Sequence, residues 1–144
     1  MKYHFKVHKE RKMYWAQCIE LEGCVTQATS QRGLYANMEE ALNLYIQEPG
    51  QSTDLASLPK KNIRKTKNVV EVPVDPEIAF SFMVRYHRIK KHKMTQNQAA
   101  KKMGFETLYS YQRLEAKKCN PSLKILFKIK KAFPDFSLDY ALEC

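Results

Sequence analysis

Two groups of side chains in this 144-residue chain are of the types that catalyse reactions. His4, His8, Cys18 and Cys24 offer the nitrogen and sulfur donors that zinc accepts, and an extended segment would put His4 and His8 on one face. The two cysteines are not at chelating spacing, however. The expectation is therefore solvated histidines and half-buried thiols, with no metal and no cofactor. Glu10, Glu20 and Glu22 form the second group. Two-metal cleavage of a phosphodiester needs several carboxylates converging on hard cations. The apolar-alternating segment Tyr3 to Val7 supplies none, and the three glutamates fall at a turn and a strand end. No enzymatic activity is expected.

Charge is more informative. The net charge is +10. Residues 1–58 hold 6 Lys/Arg against 7 Asp/Glu, −1, whereas residues 59–144 hold 19 against 8, +11. A block this basic attracts a polyanion, and counterion release then drives binding. The four cysteines lack CxxC spacing and a secretory context, so reduced thiols and a cytoplasmic location are expected. Met1 to Lys6 alternates polar and apolar, unlike the apolar centre of a signal peptide, and no apolar run is long enough for a membrane span. Lys60 to Lys67 has no amphipathic helix beside it that would seat it on a membrane.

The elements that must position these residues follow from periodicity. Tyr3, Phe5 and Val7 mark a strand, Met13 to Leu21 a central strand, and Cys24 to Thr29 a third, giving an antiparallel meander. Leu34, Met38, Ala41, Leu42, Tyr45 and Ile46 then form one helical stripe, capped by Thr29 or Ser30 and stopped by Pro49-Gly50. Residues 49–68 lose all periodicity and are expected to be a linker or exposed loop. Val69 to Val74 is a short strand, at an edge because Pro73 donates no ladder bond. It can pair back onto the first sheet.

From Asp75 onward the pattern is helical. Asp75 and Pro76 open a helix with Ile78, Ala79, Phe82, Tyr86 and Ile89 on one face, and a basic stretch, Arg88 to Lys93, follows. Thr95 caps a short helix from Gln96 to Met103, and Gly104 ends it. A further helix spans about Thr107 to Glu115. Leu123, Leu126, Ile129, Ala132 and Phe133 mark the next, and Ser137 caps a last one with Leu138 and Leu142. A helix entering the major groove needs another crossing close behind it. Ala99 and Ala100 permit close crossing, and Gly104 tolerates the positive φ of the turn. Residues 75–144 are therefore expected to be a helix-turn-helix domain that binds double-stranded DNA.

The block Met94 to Gly104 resembles the second helix of phage-repressor-type (Cro/CI-like) domains. The resemblance continues through Leu114-Glu115, Asn120-Pro121-Ser122 and the leucine-bearing helix after them. From Gly104 to Glu115 this chain has one residue more than that pattern, placed in the turn at Phe105-Glu106. Aligned back from Leu114-Glu115, the resemblance turns Thr107, Leu108, Tyr109, Gln112 and Arg113 to the groove and buries Tyr111 and Leu114, although core packing also accommodates Tyr109. Gln96 resembles the glutamine that such domains place near a phosphate and a base. Gln96 and Arg113 are expected to be removable without harm to the fold. Lys117, Lys118 and Asn120 are expected on phosphates, which position without specifying.

Residues 1–74 resemble HicB-family antitoxins. The resemblance rests on Tyr14-Trp15, the stretch Leu21 to Gln27, the helix segment Met38 to Tyr45, and Val69 to Val74. It implies an α+β chain: a small antiparallel sheet with one helix, a partial RNase H-like fold, then an all-α helix-turn-helix domain. It also implies an antitoxin that masks a HicA-like mRNA ribonuclease and represses its own operon as a homodimer or higher homo-oligomer. A near-neutral first domain would dock on a basic toxin without repulsion. Tyr14, Trp15 and Tyr35 are candidate anchors, with core packing the alternative for Trp15. A one-component regulator whose first domain senses a small ligand is the competing reading.

Overall fold

In the computed structural model, which describes residues 1–47 and 54–144, the alternation from Tyr3 to Val7 becomes β1 (Lys2–Glu10). Arg11, at φ +50°, and Lys12 turn the chain into β2 (Met13–Cys18). β2 pairs antiparallel with β1, Phe5 opposite Cys18 and His8 opposite Trp15. After Gly23, at φ +82°, β3 (Val25–Ala28) adds to the outer side of β2. β4 (Val69–Pro73) closes the other edge antiparallel to β1, so the order is β3-β2-β1-β4. The edge place follows from Pro73, which has no N–H to donate. The chain is thus α+β, with a four-stranded antiparallel sheet and helices.

α1 (Gln31–Ile46) covers the sheet face that carries Val7 and Tyr14. Leu34, Met38, Leu42 and Ile46 are its buried stripe, and Ser30 Oγ accepts from Gly33 N at 3.1 Å at its start. Its expected stop at Pro49-Gly50 lies outside the described residues. β2 ends at Cys18 and not at Leu21, because Glu20 leaves the strand direction and turns its side chain inward.

Glu20 also corrects the reading of His4. His4 is buried, not solvated: its Nδ1 lies 2.6 Å from Glu20 Oε1, and its backbone N donates to Glu20 Oε2 at 3.1 Å. Glu71 Oε1 stands 3.5 Å from the Nε2 of the same ring. His8 is stacked on Trp15, centroids 4.0 Å apart.

Of the linker or exposed loop expected at 49–68, the described part is a largely exposed loop, but one tied to the first unit. Residues 48–53 lie outside the described residues, but residues 56–75 belong to the same compact unit as Met1–Ile46. No helix or strand forms between 56 and 68, yet hydrogen bonds tie the backbone to the sheet. Tyr3 Oη donates to Ser57 O at 2.7 Å, Lys60 N to Glu20 Oε1 at 3.3 Å, and Val7 N to Asn68 O at 2.8 Å. Lys65 pairs with Glu71 at 3.0 Å. Periodicity is blind to a segment held by its backbone. The charge division changes with it. The first unit (Met1–Ile46, Ala56–Asp75, Glu143–Cys144) carries 11 Lys/Arg against 8 Asp/Glu, +3, and is not near neutral.

The second unit is built on residues 76–142, with 14 Lys/Arg against 5 Asp/Glu, +9. α2 (Pro76–Tyr86) is buried all round, not along one face: Phe80, Met83 and Val84 are as enclosed as Ile78, Ala79 and Phe82. A π-helical turn, His87–Lys91, prolongs it. Then come α3 (Gln96–Lys102), α4 (Leu108–Gln112), a 3-10 turn (Arg113–Glu115), α5 (Leu123–Ala132) and α6 (Leu138–Ala141). Ile129, Ala132 and Phe133 are in the core, but Leu123 is 84% exposed. The first turn of α5 overhangs an open groove shared with Met103 and Phe127 and does not reach the core. No helix among the described residues is long and apolar enough to cross a membrane.

Replacing Glu20 by alanine leaves the donors on His4 without their acceptor in a buried site. Glu20→Ala is predicted to destabilise the first unit by about 1–3 kcal/mol, whereas Glu22→Ala, at an exposed turn, stays within about 0.5 kcal/mol. Urea unfolding followed by fluorescence of Trp15, the single tryptophan, measures both. Equal midpoints would remove Glu20 from the account.

Candidate nucleic-acid interface

The start of α3 is set by a reciprocal cap: Thr95 Oγ1 accepts from Gln98 N at 3.2 Å, and Gln98 Oε1 accepts from Thr95 N at 2.9 Å. Ala99 and Ala100 are buried, which leaves room for α4 to pack on α3. The helix ends on Gly104 at φ +76°, where Phe105 N donates to Ala100 O at 2.9 Å and Gly104 N to Lys101 O at 3.1 Å. This bond pair is the Schellman arrangement, which needs a left-handed residue and so favours glycine. Thr107 caps α4 by accepting from Ser110 N at 3.2 Å. Tyr111 and Leu114 point into the core, and burial, reinforced by the charge on Glu115, pushes the Tyr111 phenol above its ordinary value.

Behind α4 lies a buried polar centre. Arg88 Nε donates to Glu115 Oε1 at 2.7 Å, and Arg88 Nη1 donates to Met94 O at 3.0 Å. Gln96 Nε2 donates to the other carboxylate oxygen of Glu115, and Gln112 Nε2 donates to Gln96 Oε1 at 3.1 Å. Burial holds the nearby Arg85 guanidinium below its usual range, and the charge on Glu115 partly restores it. Arg88 therefore does not belong to a solvated basic stretch: the pair with Glu115 is enclosed. Neither residue carries a local signal, since Arg88 sits in a Lys-rich run and its partner lies far along the chain.

The candidate groove residues separate into three sets. Tyr109, 71% exposed, lines an open groove of about 690 Å³ with Arg113, Lys118 and Asn120. Gln112 and Lys117 are exposed but outside the lining of that groove. Gln96 is half-buried and engaged with Glu115 and Gln112, Leu108 is half-buried, and the Thr107 hydroxyl is occupied by the cap and by Ser110 Oγ at 2.8 Å. Sequence reasoning did not single out Lys128, whose Nζ lies 4.8 Å from the centroid of Phe105, itself on the wall of the groove.

The aromatic candidates of the first unit are not gathered in one place. Tyr14 and Tyr35 line a cavity of about 450 Å³ with Lys9, Leu34 and Lys67. Trp15 follows Tyr14 in β2 and so projects from the opposite sheet face, where it stacks on His8. No protein-family model matches the chain, and no curated protein matches it.

Breaking a buried ion pair from one side strands the other charge. Glu115→Ala is predicted to cost the second unit about 3–5 kcal/mol. Gln96→Ala, whose amide bonds a buried carboxylate, is predicted to cost about 1–3 kcal/mol, contrary to the expectation that it leaves the fold untouched. Thermal unfolding followed by circular dichroism tests both, and a wild-type midpoint for Glu115→Ala would show that the pair does not hold the unit.

Proposed function

We propose that the second unit is a helix-turn-helix domain that reads double-stranded DNA through α4 and the residues after it. The first unit, as a partial RNase H-like domain, would mask a small HicA-like ribonuclease, making the chain an antitoxin that represses its own operon. The observation that carries the DNA reading is the exposed set Tyr109, Gln112, Arg113, Lys117, Lys118 and Asn120, on and after a helix whose inner side is pinned by Glu115. A recognition element has to present side chains of fixed direction, and a net +9 over residues 76–142 supplies the long-range attraction to phosphate. One such unit spans a short half-site, so a homodimer on a two-fold operator is part of the proposal.

In the first unit, a toxin interface centred on Tyr14 and Tyr35 leaves Trp15 outside it, because the sheet lies between them. A charge of +3 weakens the electrostatic case for docking a basic toxin, so the antitoxin reading rests on resemblance more than on charge. The cavity beside Tyr14 and Tyr35 favours the second reading, a one-component regulator. Its size falls within the range of small-molecule sites, and Lys9 and Lys67 on its wall suit an anionic ligand.

Binding to duplex DNA from upstream of the chain's own reading frame is predicted to fall steeply with salt in gel-shift titrations. Arg113→Ala is predicted to cost on the order of 1–3 kcal/mol and to relax sequence preference, while Lys118→Ala weakens all sequences alike and lowers the salt slope by about one. Salt-independent binding, or none, overturns the DNA reading.

Co-expression with the small protein encoded next to this chain separates the two readings of the first unit. The full-length Arg113→Ala/Lys118→Ala variant is predicted to rescue growth and co-purify with that protein while failing to repress, and Tyr14→Ala/Tyr35→Ala to lose both rescue and co-purification. If the wild-type chain neither rescues nor co-purifies, the ligand-sensing regulator takes its place.

A further inference from the structure

A π-helical turn closes on bonds five residues apart, so side chains at that spacing stand over one another. In the turn His87–Lys91, His92 N donates to His87 O at 2.9 Å, and the two imidazoles come to one side with ring centroids 6.3 Å apart. A third group meets them from the turn after α5, where Phe136 N donates to Phe133 O at 2.9 Å and Asp135 is left pointing at both rings. His92 Nε2 lies 3.3 Å from Asp135 Oδ1, and His87 Nδ1 lies 3.6 Å from Asp135 Oδ2. One donor atom from each residue falls within 4.8 Å of the other two.

These separations are informative. A charge-assisted hydrogen bond would draw nitrogen and oxygen to about 2.7–2.9 Å. Metal bonds of about 2.0–2.1 Å in a tetrahedron put neighbouring donor atoms about 3.3–3.4 Å apart. The His92 contact is a long hydrogen bond at most, and His87 Nδ1 is buried with no hydrogen-bond partner among the described residues. The rings are held in place by aromatic packing: His92 stacks on Phe133 at 4.4 Å, and His87 packs against Phe136 at 5.1 Å. Burial holds the His87 imidazole pKa below its ordinary value, the direction that favours the neutral ring a metal binds.

We propose that His87 Nδ1, His92 Nε2 and a carboxylate oxygen of Asp135 bind one divalent transition-metal ion of the zinc type, with water completing its coordination. Two imidazoles and one carboxylate favour zinc, cobalt or nickel over magnesium or calcium, which prefer all-oxygen sites. The ion would join the end of the π-helical turn to the turn between α5 and α6, and so serve as a staple within the second unit. Lys91 and Lys130, whose charges reach His87, oppose a cation there, and the Asp135 carboxylate offsets them. The proposal is independent of the DNA reading.

The test uses the full chain, stripped with a chelator and then kept reduced. Isothermal titration with ZnCl2 is expected to show one site at the second unit, and zinc, unlike MgCl2, is expected to raise the thermal midpoint. CoCl2 is expected to give visible d–d absorption from a nitrogen–oxygen site. Asp135→Asn alters an exposed group and His92→Asn a half-buried one; each is expected to keep the wild-type circular dichroism spectrum and to lower zinc affinity tenfold or more. Cys119→Ser/Cys144→Ser, which removes the thiols of the more accessible cysteines, is expected to leave affinity unchanged. The proposal is overturned if His92→Asn and Asp135→Asn bind zinc as tightly as wild type, if the cysteine variant alone loses binding, or if zinc leaves the wild-type midpoint where it was.

Discussion

The enclosed pair of Arg88 and Glu115 is the constraint on which the second unit depends. Removing two charges from water costs several kcal/mol for each ion, and attraction offsets that cost only when the remaining polar atoms are also met. Here they are met by Met94 O and by the amide of Gln96. The geometry leaves little freedom. The start of the π-helical turn, the start of α3 and the 3-10 turn after α4 must keep their mutual positions or strand a charge. α4 itself is only five residues long, too short to be stable alone, so its direction is inherited from that network.

The first unit uses the same device on a different scaffold. Glu20 receives bonds from His4 on β1 and from Lys60 in a stretch with no regular structure. In both units a carboxylate anchors an irregular segment that has too few apolar side chains to anchor itself. Polar hubs of this kind add little net stability of their own, since a well-packed apolar centre of the same volume is often no less stable.

That device also explains which parts of the molecule were legible in the residues. Elements with an apolar period or a capping signature could be read directly: β1, the stripe of α1, the Thr95 cap and the glycine end of α3. Tyr111 and Leu114 were assigned inward by the resemblance aligned on Leu114-Glu115, which left Tyr109, Gln112 and Arg113 outward. What escaped were polar residues with distant partners. Arg88 looks solvated inside a lysine-rich run, Gln96 is polar whether it faces water or Glu115, and His4 occupies a position that alternation assigns to solvent. Residues 56–68 were legible as a linker or exposed loop, but their attachment to the sheet was not, because backbone hydrogen bonds have no residue code. Leu123 failed in the opposite sense: its period is right, but the helix outruns the core it was expected to cover.

The order of strands has a consequence for how the chain emerges from the ribosome. β1 is an inner strand, yet its two neighbours arrive at very different times: β2 follows after a tight turn, while β4 comes only after α1 and the segment behind it. Until residue 73 has cleared the exit tunnel, the edge of Lys2–Lys6 that β4 pairs with has no partner. Its unpaired backbone N–H and C=O groups, beside the apolar Tyr3 and Phe5, invite pairing with any extended peptide nearby. Such non-local closure is slow relative to hairpin formation, so the nascent chain passes through a stage at which strand exchange between neighbouring copies competes with correct folding. Slowing synthesis between residues 46 and 73 would lengthen that stage, and a synonymous codon change there would alter the yield of folded protein without altering a single residue.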